Sequence, residues 1–356
     1  MEYPEYHGWS DSWTQLLRST PKEIELGEVE VKDRGRIQTL INWLGPFLGL
    51  ILVMVIFSSI PEVQDRFLRI SNLKSVATQS VIVALGALGM TFVIISGGID
   101  LSAASNIALA SVITAFAINA GLSPFLALLL GILTGGVVGL ANGALITSLR
   151  LVPFIVTLGM LGIARGVARW IAGNQKIDAP LTWVNELMAK SPSPSWMLLA
   201  PGIWIMAIFA VIMAVILRYS VFGRHIFAIG SNEATARLCG IRIKRSKILV
   251  YTLAGLFCGL SGVMEFSRLT VGDPTVAVGL ELDIIAAVVI GGGSLSGGAG
   301  SILGSMIGVF IMAFLRNGCT MMGWPNYIQE IIIGAIIVMA VALDQLRHRQ
   351  ELVPKA

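Results

Sequence analysis

The sequence predicts an all-α integral membrane protein with about ten transmembrane helices. Of its 356 residues, 55% are hydrophobic and only 13% are charged, with a mean hydropathy of +0.81, whereas soluble domains carry about 25% charged residues. Apolar runs of roughly 17–25 residues recur along the chain, which is the length a helix needs to cross the hydrocarbon core. Because these runs lack the apolar–polar alternation of membrane barrels, the spans are predicted to be helices.

Ten segments are predicted to span the membrane, and the eighth and ninth are short enough that they could instead be broken or re-entrant. They cover about 43–60, 74–96, 101–120, 123–147, 151–171, 200–217, 246–267, 277–291, 298–316 and 325–343. Together they define a membrane domain, 43–343, between an N-terminal extension, 1–42, and a short tail, 344–356. The extension lacks the basic segment and short apolar core of a signal peptide, so we expect it to remain in the mature protein as a cytoplasmic extension.

Lysine and arginine are unevenly distributed between the two sides of this layout. With the N-terminus inside, sixteen lie on the inner side and seven on the outer side. The inner set is Arg18, Lys22, Lys32, Arg34, Arg36, Arg150, Arg218, Arg224, Arg237, Arg242, Lys244, Arg245, Lys247, Arg347, Arg349 and Lys355; the outer set is Arg66, Arg69, Lys74, Lys176, Lys190, Arg268 and Arg316. Because cytoplasmic loops carry the excess of positive charge, both termini are predicted to be cytoplasmic. The largest internal cytoplasmic loop is then 218–245.

Several kinds of site are missing from the sequence. It has no GxxxxGK[ST] loop to hold nucleotide phosphates and no GxSxG or HExxH motif of a hydrolase. The three cysteines and three histidines stand apart from one another, so neither a metal site nor a disulfide framework is predicted. A net charge of +4 gives no indication of nucleic-acid binding. We therefore expect a non-catalytic chain that binds no metal and no cofactor.

A short charged segment interrupts the apolar runs inside the loop 218–245. In GSNEATARLCGI (230–241), Asn232 is placed to cap a helix, Glu233 lies at the positive end of that helix, and Gly240 is placed to end it. A helix this short is not stable by itself in water, so we expect it to dock on something outside the membrane. Its small residues suit a groove in a partner protein.

Two glycine-rich stretches resemble each other at a constant offset. GGIDLSAASNIALASVITAF (97–116) matches GGGSLSGGAGSILGSMIGVF (291–310) at the two leading glycines and at five further positions. Paired, glycine-interrupted segments point to the substrate pathway of a transporter, and chance similarity of Gly/Ser-rich membrane sequence is the alternative. The copies lie six predicted spans apart and would therefore run parallel, whereas many transporters use inverted copies. Either a span is miscounted or the match is not a true repeat.

Glycines at four-residue spacing predict close helix contacts. They are Gly131, Gly135, Gly139 and Gly143 in one segment and Gly300, Gly304 and Gly308 in another. Such contacts could slide during transport or could be static packing.

Polar residues at membrane depth are candidate functional residues, because they are costly there and persist for a function or a partner. Asp100 and Asp283 are each placed to cap or pin a helix end, or to line a pathway. Arg165 and Arg169, one turn apart, are expected to snorkel or to pair with an acid. The candidate structural polar residues are Arg165, Arg169, Glu281 and Asp283. The candidate translocation-pathway residues are Gly97, Gly98, Asp100, Ser102, Asn106, Asn142, Phe154, Thr157, Gly292, Ser294 and Ser296.

Four dispersed stretches carry a resemblance to a known family. In chain order they are ISGGIDLS, VPFIVTLG, the loop RYSVFGRHIFAIGSNEATARLCGIRIKRSK with the following KILVYTLAGLFCGLSGVM, and LELDIIAAVVIGGGSLSGGAGSILGSMIG. Over about 43–343 the chain resembles the membrane permease subunits of ABC-type sugar importers, the ribose/xylose/arabinose permease family. It departs from the usual family text at Thr235, at Cys239 and at Ala103-Ala104 after GGIDLS, which affects substrate identity more than mechanism.

The resemblance implies a type II ABC-importer-like fold in a bacterial inner membrane. It implies three protein partners: a cytosolic ATP-binding subunit that uses ATP and Mg, a periplasmic sugar-binding protein, and a second permease subunit in a homodimer or heterodimer. Membrane lipid surrounds such a subunit, and no nucleic acid takes part. The substrate would be a monosaccharide, either a pentose, a hexose or a related polyol. The coupling helix that seats in the ATPase groove would then comprise Asn232, Glu233, Ala234, Ala236, Arg237, Gly240 and Ile241.

A stand-alone ion-coupled secondary transporter or channel is the alternative. It would couple to protons or sodium through Asp100 or Asp283 and would need no ATPase. An intramembrane enzyme is a third possibility, but it needs clustered catalytic groups that the sequence does not supply.

Overall fold

The computed structural model of the chain describes residues 34–189 and 197–352, which are mostly helical. The chain divides into two units, Met1–Leu44 and Gly45–Ala356. In the first unit the structure describes only the beginning of a helix. All packing described below belongs to the second unit.

The helices are α1 (Arg34–Ser58), α2 (Gln64–Phe67), α3 (Ile70–Ile95), α4 (Ala103–Asn119), α5 (Pro124–Ser148), α6 (Pro153–Ile171), α7 (Pro201–Tyr219), α8 (Val221–Ser231), α9 (Glu233–Leu238), α10 (Ile243–Leu269), α11 (Leu280–Ile290), α12 (Ile302–Met321) and α13 (Asn326–Leu352). A 3₁₀ helix, Trp183–Met188, lies between α6 and α7. Two short strands, β1 (Ile177–Asp178) and β2 (Val271–Gly272), pair antiparallel with Ile177 opposite Gly272.

A helix occupies each of the ten segments that the sequence predicts to span the membrane. Among the described residues, six helices are long and apolar enough to cross it, namely α3, α5, α6, α7, α10 and α12. The apolar parts of α1, α4 and α13 are shorter. Helix α11 has 11 residues, about 16 Å of helix against a hydrocarbon core of about 30 Å. It has the length of a broken or re-entrant segment, and the number of complete spans stays a prediction.

Local sequence determines where several of these helices begin. Proline occupies the first turn of α5, α6 and α7, where its missing N–H has no helical partner to lose. Ser220 caps α8 and Ser301 caps α12, and each serine oxygen accepts a hydrogen bond from a glycine N–H at 3.0 Å. These caps satisfy amide donors that would otherwise be left unpaired at the helix ends.

The core lies around α3 and α10, which are largely buried, whereas α5, α6 and α7 expose much of their apolar surface. Helix α10 packs against α5 through glycines. A Cβ added at Gly135 would come within 2.6 Å of the Gly259 Cα, and one at Gly139 within 2.9 Å of the Gly255 Cα, so the two backbones are in contact. The glycines at four-residue spacing in α5 therefore do make close helix contacts. Whether these contacts slide stays a prediction.

The second glycine series is only partly helical. Gly304 and Gly308 lie in α12; Gly304 contacts the backbone of Gly291, just after α11, and a Cβ at Gly308 would come within 3.1 Å of the Ala287 Cα in α11. Gly300 instead precedes α12, in the loop, with φ +152°. It therefore contributes to the turn and not to a helix–helix contact.

Candidate functional site

The segment between α7 and α10 folds as two short helices joined at Asn232. We call residues 220–241 the α8–α9 segment. The Asn232 Oδ1 accepts a hydrogen bond from the Thr235 N–H at 2.9 Å, which is the cap that the sequence predicts. Gly240 follows α9 with φ +82°, in the left-handed region that ends helices. A short helix therefore forms where the sequence predicts one.

An ion-pair network ties α9 to the start of α10. The Glu233 carboxylate accepts from the Lys247 Nζ at 2.6 Å and from an Arg237 guanidinium nitrogen at 3.1 Å. The Lys247 hydrogen bond lowers the pKa of Glu233, with partial burial opposing it and the Lys247 and Arg237 charges assisting. The sequence places Lys247 among the inner basic residues but does not predict this pairing, because a partner fourteen positions away in the next helix has no local signal. The network fixes α9 to the start of α10.

One face of α9 is covered by its own chain and the other is open. Ala236 is only 3% exposed and packs in a small apolar cluster with Ile229 and Ile243, against which Ile241 also lies. Leu238, by contrast, is 89% exposed. Four candidate coupling residues are also exposed: Asn232, Ala234, Arg237 and Gly240. Ala236 and Ile241 therefore position the helix from beneath, and the open face is the part that can meet another protein.

The two glycine-rich breaks meet each other and the end of α8. The Gly298 N–H donates to the Ile95 carbonyl at 2.8 Å, which joins the second break to the end of α3. A Cβ at Gly230, in the last turn of α8, would overlap the Ile95 carbonyl and come within 2.5 Å of the Gly298 nitrogen. A Cβ at Gly297 would likewise approach the Gly97 Cα to 3.0 Å. We call Gly97, Gly230, Gly297 and Gly298 the glycine junction.

The glycine junction places both breaks on the same side as the α8–α9 segment. Since α3 and α11 each run toward a break and α4 and α12 each run away from one, the two copies have the same direction. The constant offset itself does not hold in the structure. Ala103, the first residue of α4, would match Gly297, yet α12 begins only at Ile302. The second break is longer, so the residue-by-residue match beyond the leading glycines is not a structural correspondence.

Asp100 is the centre of a buried polar network just before α4. The Asp100 Oδ1 accepts from the Ser102 N–H at 2.9 Å and from the Ser102 Oγ at 2.6 Å. The Asn142 Nδ2 donates to the Ser102 Oγ at 2.9 Å, and the Thr157 Oγ1 donates to the Ile99 carbonyl at 3.2 Å. The turn before α4 is joined to α5 and to α6 in this way. The arrangement pins the turn that leads into α4, one of the two roles that the sequence allows for Asp100.

The same region has unused hydrogen-bonding capacity. Asn106 donates to the Gly135 carbonyl at 3.2 Å. Among the described residues, the Asn106 Oδ1, the Asn142 Oδ1 and the Tyr251 hydroxyl are buried without a hydrogen-bond partner. Tyr251, from α10, lies against Gly98, where a Cβ would overlap its hydroxyl. A water molecule or a neutral polar group would satisfy these atoms. The sequence analysis does not predict a role for Tyr251 in this region.

The remaining candidate pathway residues are more dispersed. Phe154, near the start of α6, is 48% exposed, and its ring does not take part in the polar network. In the second break, Ser294 is buried and Ser296 is exposed, and the Ser296 N–H donates to the Ser294 Oγ at 3.3 Å. Gly292 adopts φ +91°, a turn conformation. The structure therefore unites Asp100, Ser102, Asn142 and Thr157, while a pathway role for any of these residues stays a prediction.

Two of the candidate structural polar residues, Arg165 and Asp283, make contacts at the opposite end of the molecule. Asp283 pairs with Arg316 of α12, whose guanidinium nitrogen lies 2.7 Å from the Asp283 Oδ2. The Arg165 guanidinium donates to the Pro274 and Val276 carbonyls, at 2.8 and 2.7 Å, and the Glu281 and Asp273 charges lie near it without a hydrogen bond. It holds the loop that leads into α11. Arg169 is exposed and Glu281 is half-buried.

Comparison with known proteins identifies the family. Residues 72–341 match the family model described as branched-chain amino acid transport system / permease component. The chain is 40% identical to the ribose import permease protein of Bacillus subtilis (strain 168), over 93% of this chain and 98% of the relative. It is 36% identical to the L-arabinose ABC transporter permease protein of Azospirillum brasilense, over 90% and 92%. It is 35% identical to the D-allose transport system permease protein of Escherichia coli (strain K12), over 85% and 91%.

No solved structure matches the chain. The family model and the relatives both cover most of the membrane domain. Apart from the first two residues of α3, the described helices that are long enough to cross a membrane lie within residues 72–341. The family resemblance drawn from the four sequence stretches is thereby confirmed. The chain is a multi-pass inner-membrane protein and belongs to the family of ABC transporter permease components that includes these three sugar permeases.

Proposed function

We propose that this chain is the translocation subunit of an ATP-driven importer for a monosaccharide or a related polyol. One observation carries the proposal. A short helix with an open face is joined, through the backbone contacts of the glycine junction, to both breaks in the membrane domain. A force applied to α9 from outside would reach Ile95 and Gly298 without passing through flexible side chains. That is the connection an importer driven by a separate ATPase requires.

The partners follow from this arrangement. A cytosolic ATP-binding subunit, which uses ATP and Mg, covers the open face of α9 around Leu238 and Gly240. A periplasmic binding protein delivers the substrate at the opposite end, and a second permease subunit, identical or similar, completes the pathway. The relatives named for ribose, L-arabinose and D-allose support a monosaccharide substrate. The ten-span layout with both termini in the cytoplasm rests on the distribution of lysine and arginine.

The ion-coupled alternative receives less support from the geometry. It needs a carboxylate that binds and releases a proton or sodium ion. Asp100 already accepts two hydrogen bonds from Ser102, and Asp283 is paired with Arg316. Both carboxylates thus have structural partners that a transported ion would have to displace.

The test is co-purification of the tagged chain from its native host in mild detergent, followed by mass spectrometry and by sugar uptake in cells. The variant is Gly240→Asp. Aspartate tolerates the left-handed backbone at Gly240 better than most residues, so the fold is expected to survive while a charge enters the docking face. The wild-type chain is expected to retain an ATPase subunit, and Gly240→Asp is expected to lose it and to abolish uptake at unchanged membrane abundance.

Gly121→Asp is the matched control. Gly121 has the same φ of +82°, and among the described residues no atom lies within 4 Å of a Cβ placed there. It lies in the turn between α4 and α5, at the other end of α4 from the breaks, so this variant is expected to keep both the ATPase and uptake. A chain that purifies without any ATPase in both forms, with uptake that collapses with the ion gradient, would contradict the proposal and support the ion-coupled alternative.

A further inference from the structure

A cavity of about 290 Å³ lies between α3, α10, α11 and α12, at the end of the molecule away from the α8–α9 segment. Its walls come from the first half of α3, the end of α10, the start of α11 and the last half of α12. The glycine junction, by contrast, lies at the end of α3, at the end of α11 and before α12. In the proposed topology the cavity therefore lies toward the outer face, where substrate arrives.

Two arginine–carboxylate pairs face this cavity. Arg268 contacts both carboxylate oxygens of Glu265, at 2.6 and 3.1 Å. One Arg316 nitrogen contacts both oxygens of Asp283, at 2.9 and 2.7 Å. Each carboxylate is about 5% exposed, whereas each arginine side chain is 40% exposed. The charged groups thus reach the cavity while remaining paired.

The lining is balanced in charge and has hydrogen-bonding capacity to spare. The two arginines and two acids are the charged residues among those that line it, so an ion of either sign would find no net compensating charge. Among the described residues, the buried Arg316 Nε has no hydrogen-bond partner. Gln79 and Ser80 add polar groups to one wall, and apolar side chains of α3, α12 and the segment 277–280 form the rest. A neutral molecule with several hydroxyls can accept from the guanidinium groups, donate to the carboxylates and place C–H groups on the aliphatic wall.

Size and rigidity also favour a small ligand. The volume is near the lower end of the roughly 300–1,000 Å³ found for small-molecule sites. Ala277 and Val278, which border the cavity, belong to the loop that Arg165 holds through the Pro274 and Val276 carbonyls. This wall is therefore positioned before any ligand arrives, which reduces the entropy lost on binding.

We propose that this cavity binds one neutral polyhydroxylated solute of monosaccharide size, as the first site that the substrate meets in the permease. The place of the site in transport rests on the proposed function. The binding itself does not, because it follows from the charge balance, the free hydrogen-bonding groups and the volume.

The test uses the full chain in lipid nanodiscs and ligand-observed saturation-transfer NMR. The probes are D-ribose, L-arabinose and D-allose, with D-ribose 5-phosphate and D-glucosamine as charged comparators. Val278→Trp fills the cavity from an exposed loop position, and Gln79→Ala removes an amide from the wall without touching either ion pair. The matched controls are Leu282→Trp and Gln175→Ala. Leu282 is half-exposed in the first turn of α11 and lies outside the lining, and Gln175 is exposed in the loop after α6.

At least one neutral sugar is expected to bind saturably and better than the charged comparators. Val278→Trp should weaken that binding at least about tenfold, and Gln79→Ala about threefold, as expected for loss of one hydrogen bond, while the controls stay within about twofold. Absence of saturable binding by all three sugars, equal binding of the charged comparators, or binding unaffected by Val278→Trp would overturn the inference.

A second measurement separates this inference from the proposed function. The same variants are followed for ATPase co-purification and sugar uptake. An ATPase that co-purifies and supports uptake, with sugar binding indifferent to Val278→Trp, would reject the cavity site and leave the importer standing. Sugar bound in the cavity of a chain that has no ATPase partner would reject the importer and leave the site standing.

Discussion

The two ends of the membrane domain are held together by different kinds of contact. At the end that carries the α8–α9 segment, contacts are made backbone to backbone through the glycine junction. At the opposite end, contacts are made by long charged side chains around a cavity, with Arg268 on Glu265 and Arg316 on Asp283. Two backbones in direct contact cannot move independently of each other, whereas a paired arginine can change rotamer and exchange partners.

This difference suggests a division of labour. In the proposed importer the glycine end would transmit a displacement of α9 to both breaks, so defects there should reduce the rate of transport at saturating substrate. The charged end can rearrange around a solute, so defects there should change the substrate concentration needed. Maximal uptake rate and apparent KM are therefore the two quantities that separate the ends, and the four predictions below run from the largest expected effect to the smallest.

The largest effect is expected from Gly230→Ala. One added methyl group would overlap the Ile95 carbonyl and crowd the Gly298 nitrogen, neither of which can move without distorting a break. Overpacking typically costs about 1–3 kcal/mol even where side chains can yield. We expect the maximal uptake rate to fall by more than about fiftyfold, since the displaced α8 no longer transmits motion correctly.

Gly334→Ala, in α13, is the control for that variant. Among the described residues no atom lies within 4 Å of a Cβ placed there. Its uptake rate should equal that of the wild type. Near-normal uptake by Gly230→Ala at normal abundance would contradict the proposal that the glycine junction transmits motion.

Asp283→Asn should have the next largest effect, at the other end. It leaves the Arg316 guanidinium without its charged partner, which costs about 3–5 kcal/mol for fully buried pairs and less here because Arg316 is partly exposed; about 1–3 kcal/mol is expected. The unfolding temperature in nanodiscs should fall by several degrees, and the apparent KM for uptake should rise several-fold with ATP use per sugar unchanged. Glu62→Gln, at an exposed acid before α2, should change neither quantity. If the KM is unchanged, or if only the maximal uptake rate falls, the proposed functional difference between the two ends is contradicted.

Glu233→Gln should have a smaller effect, because the pairs it removes are partly solvent-exposed and worth about 1 kcal/mol together. The lowered pKa of Glu233 means that this stability is fully present above the unfolded value near pH 4.3 and is lost as pH falls through the folded value. Hydrogen exchange of the α9 amides should therefore be insensitive to pH-driven loss of the pair between pH 6 and 8, after correction for intrinsic rates, and faster in Glu233→Gln. Arg237→Gln, which spares the Lys247 pair, should show less than half of that acceleration. Equal acceleration by both variants would mean that Lys247 does not anchor α9.

Lys176→Gln should have the smallest effect. Asp273 keeps its hydrogen bonds from Thr275 when Lys176 is removed, and Lys176 is mostly exposed. Burial raises the pKa of Asp273, but the Thr275 hydrogen bonds together with Lys176 hold it below its ordinary value. We expect a loss of at most about 0.5 kcal/mol and unchanged uptake. A large loss of uptake would show that the β1–β2 region does more than hold the loop before α11.

Local features were predictable from the sequence and distant contacts were not. The roles of Asn232 as a helix cap and of Gly240 as a helix end could be predicted, because both depend on only a few neighbouring residues. Three contacts join residues from different elements of the fold, and no spacing rule predicts them: the Glu233–Lys247 pair, the contact of Gly230 with Gly298, and the Asp283–Arg316 pair. The burial of Ala236 against Ile229 and Ile243 could not be predicted for the same reason.

The most direct test of the account uses Cys239, which is exposed beside Gly240, whereas Cys258 and Cys319 are buried. The measurement is the labelling of Cys239 by a membrane-impermeant maleimide in inside-out and right-side-out vesicles, with and without the ATPase, and with Cys239→Ser as the blank. The account predicts labelling only in inside-out vesicles stripped of peripheral proteins, and protection when the ATPase is restored. Labelling from the outer side, or labelling that the ATPase leaves unchanged, would contradict the claim that α9 is the point at which the ATPase acts on this permease.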